Sequence, residues 1–115
     1  MMSARYERHV GSVGAAGQQV LLASRVMVVG LGGLGGSVLE SLVRIGVGHL
    51  SGVDPDVFDA SNLNRQILCT MATLGESKAV VAARRVAAVN PDVDFSAQAM
   101  GFEMLDDSEF AACDV

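Results

Sequence analysis

The sequence predicts an α/β fold built on a Rossmann-like, three-layer parallel sheet. Residues 26–29 form an uninterrupted apolar run, a glycine-rich turn follows it directly, and the apolar residues after the turn recur at helical spacing. A continuous apolar run is typical of a buried parallel strand. The strand–turn–helix order is how a βαβ unit begins, and its crossovers are right-handed.

The remaining elements follow in the order that a parallel sheet requires. A short helix precedes the first strand, which we expect to be central and buried. Gly46 and Gly48 stop the helix after the glycine turn, and Asn90-Pro91 stops the next one. Residues 55–74 have no period, and a loop of that length is usually functional. The predicted elements are helix 15–23, strand 26–29, a helix to residue 45, strand 49–53, helix 76–89, strand 93–99 and an acidic helix near 104–112.

Length and composition suit one small domain of 115 residues, 50% hydrophobic and 18% charged. We expect residues 1–25 to form an N-terminal arm and short helix, the arm ending at Gly14. Residues 26–115 are predicted to be a nucleotide-binding half-domain. Residues 110–115 resemble a helix end followed by the first step of a new strand. We therefore expect the N-terminal part of a longer protein, whose sheet here stops after the third strand and its following helix.

Charge and cysteine content exclude several function classes. The net charge is −5, and most residues after Lys78 that carry charge are acidic, which argues against binding to a nucleic-acid backbone. Cys69 and Cys113 belong to no Cys-x-x-Cys pair, so no metal site is predicted, and disulfides are not expected. This fits a reducing, cytoplasmic location. Neither a signal peptide nor an apolar stretch of the ~20 residues that span a membrane is found.

The glycine turn and an acid beyond it predict a nucleotide site. Gly30, Gly32 and Gly35 match G-x-G-x-x-G between a strand and a helix, and the helix start near Gly33 offers free N–H groups to a phosphate. Asp54, at the end of the second strand, is placed to accept hydrogen bonds from a ribose. The alternatives are a tight turn without a ligand and, because Pro55 follows, a capping role for Asp54.

Two bases predict that the phosphates of this nucleotide take part in a reaction. The chain has no G-x-x-x-x-G-K-[ST] motif, so phosphate charge must be met in another way. Arg65 offers a planar fork of donors and Lys78, the only lysine, a point charge. Each alone is an ordinary surface base, as Asn62 and Gln66 alone are ordinary loop residues. Together they favour a triphosphate site. Asp56 could assist with a cation, although such loop acids are often only solvated.

The order of the motifs resembles the HesA/MoeB/ThiF family of ubiquitin-like-modifier-activating enzymes. The resemblance extends over nearly the whole chain, and its most specific parts are the Ser-Asn-Leu-Asn-Arg-Gln block and the motif around Lys78. The matching segments are Arg5-Tyr6-x-Arg8-His9, Gly30–Gly35, Gly46-Val47-Gly48, Asp54-x-Asp56, Ser61–Gln66, Leu74-Gly75-x-x-Lys78 and Asn90-Pro91.

The resemblance implies ATP-dependent adenylation of the C-terminal carboxylate of a ubiquitin-like or sulfur-carrier protein. It implies that Asp54 holds the ribose, that Asn62, Arg65 and Lys78 contact phosphates, and that Arg8 enters the partner's site in a homodimer. We therefore assign catalysis to Arg65, Lys78 and Arg8. The expected nucleotide-binding residues are Gly30, Gly32, Gly33, Gly35, Asp54, Asp56, Ser61, Asn62, Asn64 and Gln66.

The chain also departs from the family pattern. The resemblance implies a Mg²⁺ ion whose main ligand, an aspartate, lies beyond residue 115, and the zinc-binding Cys-x-x-Cys pairs of some members are absent. We therefore expect this chain alone not to adenylate a carrier. Two alternatives stay open. An NAD(P)-binding oxidoreductase fragment would account for the glycine turn and Asp54, and a non-catalytic interaction domain could share the same fold.

Overall fold

A parallel sheet of three strands forms the centre of the computed structural model, which describes residues 3–115. The strands are β1 (Arg25–Val29), β2 (His49–Val53) and β3 (Asp94–Gln98), in the order β1-β2-β3. Both neighbouring pairs are parallel. In their register, the first row across the sheet contains Arg25, His49 and Asp94. The predicted α/β class and parallel sheet are confirmed.

Four helices accompany the sheet: α1 (Glu7–Ala23), α2 (Gly33–Ile45), α3 (Lys78–Val89) and α4 (Asp107–Ala111). Helices α2 and α3 are successive crossovers, and because both are right-handed and run in one direction, both lie on one face of the sheet. They pack together there. Helix α4 lies on the other face, which completes three layers.

The core fills the space between β1–β3 and helices α2 and α3. Its members alternate along the strands and recur at helical spacing along the helices. They include Val28, Leu39, Val43, Leu50, Ala82 and Val86, which are all at most 7% exposed. Within residues 3–115, none of the helices combines the length and hydropathy needed to cross a membrane.

The prediction that residues 26–29 are central and buried was wrong in two respects. Strand β2 lies in the middle of the three strands, and Val29 is 52% exposed although Val28 is only 7% exposed. Successive side chains of a strand point to opposite faces. Helices α2 and α3 cover the face that carries Val28. The opposite face, which carries Met27 and Ser51, lines an open cleft of about 220 Å³ beside α4.

The last two residues run along the free edge of β1. The Asp114 N–H donates to the carbonyl of Arg25 at 2.8 Å, and the Met27 N–H donates to the carbonyl of Val115 at 2.9 Å. These bonds confirm that the first step of a new strand follows α4. Strand β2 therefore pairs with one edge of β1, and residues 114–115 pair with the other edge. This makes β1 a topological switch point of the sheet. Ligands of such sheets bind beyond the carboxyl ends of the strands at this point.

The N-terminal segment is more regular than an arm. A 3-10 turn at Ala4–Tyr6 leads into α1, which is kinked at Gly14, where φ is 75° and ψ is 163°. The predicted helix 15–23 is therefore confirmed, and the residues before Gly14 are helical as well. The predicted domain boundary after residue 25 stays a prediction, and Met1 and Met2 lie outside the described residues.

A buried polar cluster, which we call the N-terminal clamp, joins α1 to the ends of α2 and α3. It consists of Tyr6, Gln18, Gly46 and Asn90. The Asn90 amide is 1% exposed and donates to the Tyr6 hydroxyl at 2.8 Å and to the Val43 carbonyl at 3.1 Å. The Gln18 side chain donates to the carbonyl at the end of α2 at 2.8 Å. The clamp therefore gives a structural role to Tyr6, Gly46 and Asn90, which belong to sequence motifs but have no predicted part in catalysis or nucleotide binding.

The clamp leads to a prediction about Gly46. Its φ is +90°, and a Cβ there would lie 2.6 Å from the Tyr6 ring and 2.7 Å from the Gln18 amide nitrogen. Backbone strain and overpacking together should therefore lower the free energy of unfolding of Gly46→Ala by about 2–4 kcal/mol, as measured by urea denaturation. The control is Gly11→Ala on exposed α1, where a Cβ meets nothing within 4 Å, so stability should hold or rise by up to about 1 kcal/mol. Equal stabilities of the two variants would contradict this role of the clamp.

Candidate functional site

The glycine turn between β1 and α2 can be formed only with glycine at two of its positions. Gly30 has a φ of +87°, in the left-handed region. A Cβ on Gly35 would lie 1.7 Å from the carbonyl oxygen of Gly30, so this close approach of helix and turn excludes any side chain. Gly32 precedes the first residue of α2, Gly33. The free N–H groups of the helix start therefore stand at the carboxyl end of β1, where an anion can approach them.

Asp54 braces this turn from the end of β2. Its side chain is 6% exposed, and its Oδ2 accepts the N–H of Leu31 at 2.8 Å. Its Oδ1 accepts the N–H of Asp56, also at 2.8 Å. The carboxylate therefore links the glycine turn to the loop after β2. Each oxygen keeps a second lone pair that can accept a further donor.

The loop that carries the Ser-Asn-Leu-Asn-Arg-Gln block is folded by its own side chains. Asp59 caps the 3-10 turn Ala60–Asn62 by accepting the N–H of Ser61 at 2.8 Å. In return, the Asn62 side-chain oxygen accepts the N–H of Asp59 at 3.0 Å. Asn62 is only 7% exposed, so its amide has a structural part in the loop beside any contact with a ligand.

Arg65 and Gln66 lie directly against the glycine turn. A Cβ on Gly33 would lie 4.0 Å from the Arg65 Nε, and one on Gly32 would lie 3.2 Å from the Gln66 Oε1. The Arg65 guanidinium donates to the carbonyl of Ser61 at 3.2 Å, and it also donates to the side-chain oxygen of its neighbour in the sequence, at 2.9 Å. The Gln66 side chain is 6% exposed, and its Oε1 accepts no hydrogen bond within residues 3–115. A ligand that donates a hydrogen bond at the turn would satisfy it.

Lys78, the first residue of α3, is a buried cation. It is 7% exposed, and its backbone N–H donates to the carbonyl of Asp56 at 3.0 Å. The Lys78 Nζ lies 5.4 Å from the centroid of the Phe58 ring. It takes part in none of the ion pairs found among the described residues. Because an uncompensated buried charge is costly, this position is suited to a bound anion.

Lys78 and Arg65 act on the same carboxylate. The hydroxyl of Ser61, which donates to Asp59, is the main reason that the pKa of Asp59 lies below its ordinary value, and the Ser61 N–H adds to this. The positive charges of Lys78 and Arg65 also lower that pKa, while desolvation raises it. Asp59 thus stays ionised, and the positive charges of both bases favour its ionised form.

The structure bonds Asp54 to the glycine turn, places Arg65 and Gln66 against that turn, and joins Lys78 to the same loop through the carbonyl of Asp56. Arg8 is exposed on α1 and forms no hydrogen bond or ion pair with another described residue. Asp56 contributes backbone bonds to Asp54 and Lys78, while its side chain is exposed. Ser61 and Asn64 are exposed too, and their side chains bond to Asp59 and Arg65 within the loop.

The described residues do not form a magnesium site by themselves. Both oxygens of Asp54 are engaged by backbone N–H groups. No group of three or more His, Cys, Asp or Glu side chains that could hold a metal ion occurs in residues 3–115.

The sequence did not single out Phe58 and Asp59. Asp59 stands three residues before Asn62, the spacing of a capping box, so a search for caps inside the loop would have found it. Phe58 is 1% exposed although it lies in a polar loop. Its contact with Lys78 depends on the path of that loop, and the sequence carries no signal for it.

Comparisons with known proteins agree with this geometry. The chain is 48% identical over 91 residues to the SAMP-activating enzyme E1 of Haloferax volcanii, which covers 77% of the chain and 34% of that protein. It is 47% identical over 89 residues to the sulfur carrier protein adenylyltransferase of Thermus thermophilus, covering 76% of the chain and 33% of that protein. The chain thus spans about a third of the length of these curated relatives.

A solved structure has the same fold. The E. coli tRNA N6-threonylcarbamoyladenosine dehydratase TcdA, in complex with ATP, aligns with a TM-score of 0.83 and 28% identity, covering 88% of this chain and 43% of that one. The sequence profile of the ThiF family matches residues 6–115. The resemblance seen in the motifs is therefore confirmed, and the chain belongs to the ThiF family.

Proposed function

We propose that this chain binds ATP and forms the nucleotide-binding part of an enzyme that adenylates the C-terminal carboxylate of a ubiquitin-like or sulfur-carrier protein. One observation carries the proposal. Lys78 is a buried cation that forms no salt bridge among the described residues, and it is bonded to the loop that carries Arg65 and Gln66 to the glycine turn. The names of the relatives support the reaction, since they include a sulfur carrier protein adenylyltransferase.

Each part of the site has a role in this proposal. The glycine turn and the N–H groups at the start of α2 face the phosphates. Asp54 accepts a ribose hydroxyl with the lone pairs that its backbone bonds leave free. Arg65, Lys78 and Asn62 hold the phosphate tail. The remaining loop residues that we expect to line the nucleotide are Asp56, Ser61, Asn64 and Gln66.

The chemistry follows from charge. A carrier carboxylate attacks the α-phosphorus, an acyl–phosphate bond forms, and the bond to the leaving pyrophosphate breaks. Attack by an anion on a polyanion is slow unless positive groups neutralise the charge on the phosphates. Phosphoryl and nucleotidyl transfer therefore depend on positioning and charge neutralisation more than on a strong base. Arg65 and Lys78 supply fixed positive charge to the departing pyrophosphate, where charge builds up during the reaction.

Other parts of the proposal lie outside this site. We propose that the enzyme is a homodimer in which Arg8 reaches the partner's nucleotide, and the exposed, unpaired side chain of Arg8 supports this. We also propose that it uses Mg²⁺ held mainly by residues other than those described. The two free thiols, Cys69 and Cys113, support a reducing cytosolic location.

The charge of Lys78 gives the most direct test of ATP binding. Lys78→Met keeps the length of the side chain and removes its charge, so the affinity for ATP should fall by about 10- to 100-fold, which is the value of charge-assisted hydrogen bonds. Calorimetric titration of the folded variant measures this. The control is Arg84→Met on the same helix, because Arg84 is exposed and already paired with Glu76 at 2.6 Å. Unchanged ATP affinity in Lys78→Met would refute the phosphate-binding role.

Sharing of Arg8 between subunits can be tested by complementation. In a dimeric adenylating enzyme that contains this chain, Arg8→Ala and Lys78→Ala subunits should each be impaired. A mixed dimer should regain part of the ATP–pyrophosphate exchange, because one of its two composite sites is intact. If confirmed mixed dimers show no such recovery, Arg8 does not act across the interface.

A further inference from the structure

The contact between Phe58 and Lys78 lies inside the loop that joins β2 to α3. Phe58 is 1% exposed and is among the largest fully buried side chains. The Lys78 Nζ lies 5.4 Å from the centroid of its ring, within the roughly 6 Å over which an aromatic face attracts a cation. This attraction is stronger when water is excluded, and Lys78 is only 7% exposed.

The ring lies within cation–π distance of this ammonium. No hydrogen bond or ion pair of the Lys78 Nζ is formed within residues 3–115. The nearby carboxylate, Asp59, acts on Lys78 through space, and its oxygens are occupied by Ser61. A lysine side chain has four rotatable bonds and loses much conformational freedom when it is ordered. The ring contact therefore restricts an ammonium that no hydrogen bond or ion pair restricts within residues 3–115.

The backbone pairing places Phe58 and Lys78 beside each other independently of the contact between their side chains. Residues 56–58 run antiparallel to residues 75–78, with a bridge between Val57 and Ser77. The Phe58 N–H donates to the carbonyl of Glu76 at 3.0 Å, and the Phe58 carbonyl accepts the N–H of Gly75 at 2.8 Å. A change of the ring therefore removes the attraction while this backbone pairing stays available.

We propose that Phe58 is a positioning residue whose ring holds the Lys78 ammonium in its phosphate-binding orientation before the nucleotide arrives. The inference rests on the proposed function, because it takes Lys78 as the cation that meets the phosphates. Pre-orientation reduces the entropy lost on binding, so it raises affinity without a direct contact between the ring and the ligand. The ring thus acts only through Lys78.

The contact itself can be observed without any ligand. Lysine-selective ¹³C,¹⁵N labelling of this chain gives side-chain signals from one residue only, because Lys78 is the only lysine. Protons over an aromatic face are shifted upfield by the ring current. The Lys78 Hε signals should therefore lie upfield of those of an exposed lysine and move to the ordinary position in Phe58→Leu. Phe102→Leu, at a ring that is 55% exposed, should leave them in place.

Two results would show that the Phe58–Lys78 contact does not exist in solution. The first is an ordinary lysine position in the unmodified chain, a result that does not depend on whether any variant folds. The second is an upfield signal that persists in folded Phe58→Leu. If Phe58→Leu does not fold, site-specific pentafluorophenylalanine at position 58 keeps the packing and reverses the charge distribution of the ring, and the same spectrum is recorded.

Affinity measurements test the consequence for the ligand. Phe58→Leu should weaken ATP binding about tenfold in the chain with Lys78, which is within the range of buried cation–π contacts, and should have no effect in the Lys78→Met background. A purely structural effect would weaken binding equally in both backgrounds and would overturn the inference. Unchanged ATP affinity in Phe58→Leu would also overturn it and leave the proposed function intact. A chain that binds no ATP would overturn both, even with the upfield signal present.

Discussion

The buried carboxylate of Asp54 is the group on which the geometry of the site depends. It accepts one backbone N–H from the glycine turn and one from the loop after β2, each at 2.8 Å. Hydrogen bonds to a charged acceptor are about twice as strong as neutral ones. From Asp56 the loop is joined in turn to Lys78 by a backbone bond of 3.0 Å. The turn and the buried cation are therefore parts of one connected frame.

This frame is how we propose that a small sheet positions phosphate-binding groups without a P-loop. The glycine turn supplies N–H groups at the topological switch point, and the following loop brings Arg65 and Gln66 against it. Lys78 begins the next helix, and its N–H donates to the carbonyl of Asp56 in the same loop. The positive charge thus comes from side chains on a second structural unit, whereas a P-loop carries its lysine within the turn. The N-terminal clamp holds the opposite end of α2 and keeps the helix that starts at the turn in its place.

Much of this architecture could be predicted because it depends on local patterns. Strand β1, the glycine turn and the apolar stripes of α2 and α3 are each set by residues close together in the sequence. The exposure of Val29 could not be predicted, because it depends on which face of the sheet the helices cover. The Tyr6–Asn90 bond joins residues 84 positions apart, and the Phe58–Lys78 contact needs the antiparallel path of the loop. The second role of Asp54, as acceptor for Leu31, likewise exists only once the strands are paired.

We propose that the site is built for a triphosphate and not for a dinucleotide. Calorimetric titration of this chain with ATP, AMP and NAD tests it most directly, since all three share the adenosine that the glycine turn and Asp54 would hold. If Arg65 and Lys78 meet the phosphate tail, ATP should bind at least about tenfold more tightly than AMP or NAD. Binding of NAD as tight as that of ATP, or of AMP as tight as that of ATP, would contradict the account.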